Sequence, residues 1–109
     1  MQRVEYAPAA VSITTAASPV LTVVRPSLTV MSLLSTLTNV SGGNITALTV
    51  ARCLDGITYG PERSVTTGIP LAAGSSLDID ILDEPAIAYR FTITAASAGV
   101  ASLVLRGVS

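Results

Sequence analysis

Apolar and polar residues alternate most clearly along Ser76 to Leu82. Successive residues of an extended strand point to opposite faces, so Leu77, Ile79 and Ile81 share one side and Asp78 and Asp80 the other. Ala88 to Ala95 repeats the period, with Tyr89, Phe91 and Ile93 inward and Arg90, Thr92 and Thr94 outward. Val100 to Gly107 follows, with Ala101, Leu103 and Leu105 inward and Ser102, Val104 and Arg106 outward. These three runs predict one core built from Leu77, Ile79, Ile81, Tyr89, Phe91, Ile93, Leu103 and Leu105.

Turn signals punctuate the chain at short intervals: Ser18-Pro19, Arg25-Pro26, Gly42-Gly43-Asn44, Asp55-Gly56, Gly60-Pro61, Ile69-Pro70, Gly74, Glu84-Pro85 and Gly99. The runs between them predict strands over 10–15, 20–24, 28–38, 45–54, 63–67, 76–82, 88–95 and 100–106. Ala96-Ser97-Ala98-Gly99 reads as a hairpin loop joining the last two. Short strands at this spacing predict an all-β fold: a single antiparallel β-sandwich of about seven or eight strands, immunoglobulin-like or jelly-roll-like. Residues 1–109 read as one domain. Residues 1–26, broken by Pro8, Pro19 and Pro26, fit either an extended N-terminal arm or the first strands of the sandwich.

Two segments alternate poorly. In 28–37, Leu28, Val30, Ser32, Leu34 and Thr36 share one face, and Thr29, Met31, Leu33, Ser35 and Leu37 the other. In 45–54, Ile45, Ala47, Ala51 and Cys53 oppose Leu48, Val50 and Leu54. A strand apolar on both sides is covered on both sides, and a two-layer sandwich leaves an outer face for another subunit. An irregularity of burial is the other reading.

Composition narrows the chemistry. The 109 residues carry six Arg, seven Asp or Glu, and no Lys, His or Trp. Without His there is no Ser–His–Asp or Cys–His catalytic arrangement and no His-ligated zinc. Without Lys there is no Schiff-base chemistry. A net charge of −1 with no basic run argues against direct nucleic-acid binding. Ser, Thr and Pro interrupt every apolar stretch, so neither a membrane span nor a signal peptide is expected. No cofactor is expected.

The remaining candidates each have a plain alternative. Asp78, Asp80, Asp83 and Glu84 are a solvated strand face with a polar turn, a seat for an Arg of a neighbouring chain, or a cation site. Asn39-Val40-Ser41 and Asn44-Ile45-Thr46 match the glycosylation pattern but sit where the chain must turn. Cys53 reads as a buried small hydrophobe. Arg52, Arg90 and Arg106 lie within predicted strands, as solubilising charges or as anchors for a partner's carboxylates. Leu33, Leu34, Leu37, Arg52, Asp78, Asp80, Arg90 and Arg106 are therefore the candidate interface residues.

Between about residues 37 and 106 the order of turns and strands resembles that of small β-sandwich proteins of phage virions. The resemblance rests on Asn39 to Ile45, Leu54-Asp55-Gly56-Ile57-Thr58-Tyr59, Leu71 to Ser76, the alternating run to Leu82, and Tyr89-Arg90-Phe91-Thr92-Ile93-Thr94. Tyr59 stands where the pattern often has Trp. The resemblance implies a capsid decoration (cement) or head-fibre protein without catalytic residues, made in the host cytoplasm and placed on the capsid surface. Its expected partners are the major capsid protein or other virion proteins and further copies of itself, a trimer among the forms this allows. A tail or neck subunit, or a carbohydrate-binding sandwich, is the alternative.

Overall fold

A computed structural model describes residues 9–24, 32–55, 57–81 and 86–108. They form eight strands: β1 (Ala9–Thr15), β2 (Val20–Val24), β3 (Ser32–Ser41), β4 (Ile45–Cys53), β5 (Arg63–Ser64), β6 (Ser76–Ile81), β7 (Ala88–Ala95) and β8 (Gly99–Val108). Sheet A has the order β1-β8-β3-β6 and sheet B the order β2-β7-β4-β5, with every pairing antiparallel. The pairs β4·β5, β3·β6, β2·β7 and β1·β8 nest inside one another, as if one long hairpin had been rolled over two sheets. That nesting is an eight-stranded jelly roll.

The predicted core closes between the sheets. Tyr89, Phe91, Ile93 and Leu103 are fully buried, Ile79, Ile81 and Leu105 nearly so, and Leu77 packs against them. In sheet A the inward rows are continuous: Leu103 of β8 pairs with Leu37 of β3, which pairs with Leu77 of β6. Sheet B aligns Val50, Phe91 and Thr22 in the same way. Burial of the apolar side chains on this inner face is the main stabilising term, at roughly 1.5–3 kcal/mol for each fully buried large side chain.

Three expectations need correction. The loop 96–98 is not a hairpin, because β7 lies in sheet B and β8 in sheet A. Only β4 and β5 are consecutive strands within one sheet; every other connection crosses the sandwich. The fifth strand shrinks to Arg63–Ser64. The mixed pattern of β4 comes from a register shift between Ile45 and Ala47. The extra residue turns Thr46 and Ala47 both outward, so Ile45 joins Leu48 and Val50 in the core although parity alone would oppose them.

Of the two readings of residues 1–26, residues 9–15 and 20–24 are strands of the sandwich. Residues 1–8, 25 and 26 lie outside the described residues, as do 28–31 of the third predicted strand.

Asn39 ties β3 to the loop before β6. Alternation along β3 carries Asn39 inward and Val40 outward, and the pairing with β8 shifts register between Asn39 and Ser41. The Asn39 amide Nδ2 donates to the carbonyls of Gly43 at 3.1 Å and Leu71 at 2.9 Å. Its backbone N–H donates to Ser75 at 3.0 Å, and its carbonyl accepts from Gly74 at 2.6 Å. Asn39 is 1% exposed, which removes it as a glycosylation acceptor, whereas Asn44 at the end of the same turn is exposed.

Candidate interaction surface

The outer face of sheet A gathers four of the eight candidate interface residues. Asp80 of β6 pairs with Leu34 of β3, which pairs with Arg106 of β8. The next row is Asp78, Thr36 and Val104, and the third is Ser76, Thr38 and Ser102. Thr36 Oγ1 donates to Asp78 Oδ1 at 2.7 Å, and the hydroxyls of Thr38 and Ser76 are 2.8 Å apart. A shallow depression of about 180 Å³ runs over Leu34, Thr36, Val104 and Arg106. Asp78, Asp80 and Arg106 are exposed, and Leu34 is half-buried.

Leu33 and Leu37 are not on any surface. Both are 0% exposed and face sheet B from the centre of sheet A. The described half of the poorly alternating segment is therefore an ordinary strand: Leu33, Ser35, Leu37 and Asn39 go inward, and Ser32, Leu34, Thr36 and Thr38 outward. Ser35 is tolerated inside because its hydroxyl donates to the Ile79 carbonyl.

Arg52 and Arg90 belong to the other sheet. Arg90 of β7 points out of sheet B, beside Ala51 on one side and Val23 on the other. Its Nη2 lies 3.2 Å from Glu62 Oε1, and its guanidinium carbon 4.5 Å from the Tyr59 ring centroid. Thr92 Oγ1 donates to the same carboxylate at 3.3 Å. The β4–β5 connection thus folds back over its own sheet, with Tyr59 bridged to Cys53 and the Gly60 N–H donating to the Arg52 carbonyl at 2.8 Å. The outward-facing Ala51 and Cys53 are 1% and 0% exposed. The apolar outer face of β4 is covered from within the chain, which replaces the reading that a neighbouring subunit covers it.

The same connection encloses an open cavity of about 480 Å³ lined by Arg52, Leu54, Asp55, Thr58, Tyr59 and Arg63. Asp55 shapes its rim. Its Oδ1 accepts from the backbone N–H of Thr58 at 2.7 Å and Ile57 at 2.8 Å. These two bonds, Thr58 first, hold its carboxyl below the ordinary carboxylate range. The turn lifts Leu54 and Ile57 into solvent, 65% and 85% exposed.

The acidic group divides. Asp78 and Asp80 stand two residues apart on β6, whereas Asp83 and Glu84 lie outside the described residues. Among the described residues no three His, Cys, Asp or Glu side chains converge as metal ligands. No helix among them is long and apolar enough to cross a membrane.

Sequence reasoning missed Leu21, 61% exposed, and Val23, 46% exposed, on the outer side of β2. All of Val20 to Val24 is apolar except Thr22, so its parity had no polar residue to mark the wet face. Val104, 44% exposed, stands outward as parity predicts and is a further apolar candidate for contact.

No family model matches this chain, and no curated protein matches it. Two solved structures are similar to it. One is a protein of Bacillus endospore appendages, described as disulfide-linked pili: 19% identity, TM-score 0.49, over 96% of this chain and 87% of that one. The other comes from the Gx strain of infectious bursal disease virus: 14% identity, TM-score 0.38, over 94% of this chain and 32% of that one. This chain therefore spans about a third of the viral protein it resembles. At these scores no residue role passes from either protein to this one.

Proposed function

We infer that this protein is a non-enzymatic structural subunit of a virion, and specifically a capsid decoration protein that binds a phage head through its outer faces. The observation that carries the reading is the pair of outer faces themselves. Leu21 and Val23 on sheet B and Val104 on sheet A are large apolar side chains standing in water. Around them the full chain offers only thirteen formal charges, and Arg90 and Glu62 neutralise each other. Exposed apolar groups on rigid strands suit a protein that works by contact. The jelly roll is a frequent architecture of viral shells, which fits the reading without deciding it.

The mechanism is mechanical. Each copy would bridge neighbouring shell subunits with a modest free energy, and many copies together would resist expansion of the head. Leu34, Asp78, Asp80 and Arg106 would form the contact on sheet A, with carboxylates and a guanidinium ready for partner charges. The test is immunogold labelling of particles purified from the phage or prophage that encodes the chain. Gold over the head surface supports decoration. Gold confined to the tail or neck moves the protein to those sites, and unlabelled particles remove it from the virion.

A further inference from the structure

We propose that β2 is a self-pairing edge: two copies of this chain join antiparallel through Val20–Val24, about a twofold axis at Thr22, so that sheet B runs on from one copy into the other. The inference goes beyond the virion reading and stands without it.

The four edge strands are not alike. β6 carries Asp78 and Asp80, and laying it against a second β6 would set carboxylates against carboxylates. β5 is two residues long and begins with Arg63. Both are edges of the kind that discourages pairing. β2 is the terminal strand of sheet B on the opposite side, and its sequence Val-Leu-Thr-Val-Val holds no charge, proline or glycine. β1, the terminal strand of sheet A on that same side, is equally uncharged over Val11–Thr15 and sets no charge against a second copy.

The pattern of β2 is self-complementary. With Thr22 opposite Thr22 of the second copy, Leu21 faces Val23 of that copy and Val20 faces its Val24. Antiparallel pairing about a twofold requires this match of position i−1 with i+1. The two outward side chains, 61% and 46% exposed in one copy, become a contiguous group of four that shield one another. The flanking row adds no repulsion, because Arg90, in register with Val23, is already paired with Glu62. Every facing pair is then uncharged, so nothing within the strand opposes a second copy. A five-residue joint is small against a standard interface, so the dimer forms reversibly and gains weight where many copies are held together.

The test uses sedimentation of the full chain over a wide concentration range, with two charge variants. Leu21 and Val23 point outward, so L21K/V23K and L21E/V23E keep the fold, which circular dichroism checks. The unmodified chain should show a concentration-dependent dimer, each variant alone should sediment as a monomer, and an equimolar mixture of the two should return to a dimer. Val104→Lys, on the other sheet, should leave the dimer in place. A monomer at every concentration overturns the proposal. So does a dimer that survives either double substitution, or a mixture of the two variants that stays monomeric.

Discussion

The guanidinium of Arg90 and the carboxylate of Glu62 meet at 3.2 Å across the outer face of sheet B, joining β7 to the loop that leaves β4. Both side chains are partly exposed, at 29% and 40%, so the pair contributes at most about 1 kcal/mol. Its effect is positional. With Tyr59 against the same guanidinium, it fixes the loop over Ala51 and Cys53. Glu62→Gln should therefore lower stability only slightly.

Tyr59→Ala should do more to the cover than to the fold. Cys53 is 0% exposed in the native chain, so a thiol reagent should modify it slowly. Removing the Tyr59 ring loosens the loop above it, and modification should speed up at least several-fold while the denaturation midpoint moves little. An unchanged modification rate would show that the loop is held by other contacts.

Phe91 is the largest test of the core register. It is fully buried between Val50 of β4 and Thr22 of β2. Phe91→Ala should cost about 3–5 kcal/mol in chemical denaturation, the usual range for emptying such a site. A loss below about 1 kcal/mol would place Arg90, Thr92 and Thr94 inward instead.

Gly42 and Gly74 separate conformational strain from crowding. Both have positive φ, 91° and 86°. A Cβ on Gly74 would meet nothing within 4 Å, whereas one on Gly42 would lie 2.5 Å from the Ala98 carbonyl oxygen and 2.6 Å from Gly99 Cα. Gly74→Ala should cost about 1 kcal/mol, from the left-handed backbone alone. Gly42→Ala should cost clearly more, because the β3–β4 and β7–β8 turns must separate to admit the methyl group. Equal losses in thermal denaturation would show that the two turns do not pack in solution.

Asp55 sets a pH dependence. Its carboxyl lies below the ordinary range because the Thr58 and Ile57 amides favour the charged form. A depressed folded value stabilises the turn fully above the ordinary carboxylate range and is lost as pH falls through Asp55's own value. A carbon-detected NMR titration should find Asp55 titrating below the ordinary aspartate range. A titration within that range would mean that the turn is open in solution.

Much of this fold was legible because three strands alternate cleanly and their turns carry Gly, Pro, Asn or Asp. What stayed hidden depended on long-range pairing. Nothing in Ala96-Ser97-Ala98-Gly99 says whether the next strand returns to the same sheet or crosses to the other; Gly99 is fixed by a close approach to Ser41, far away in sequence. The shift at Ile45 and Ala47 defeats any reading by parity. At the surface, the charged positions Asp78, Asp80 and Arg106 were visible, because polar residues mark the wet face of a strand. Leu33 and Leu37 were misplaced, and Leu21 and Val23 missed, because in an apolar run exposure is decided by what the other sheet covers.

The proposed place of this protein, repeated over a particle shell, is tested most directly by its copy number. Quantitative mass spectrometry of purified particles should find it in a fixed ratio to the major shell protein, at one value from one preparation to the next and after a stringent wash. A ratio corresponding to only a handful of copies per particle, or no copies at all, would contradict it.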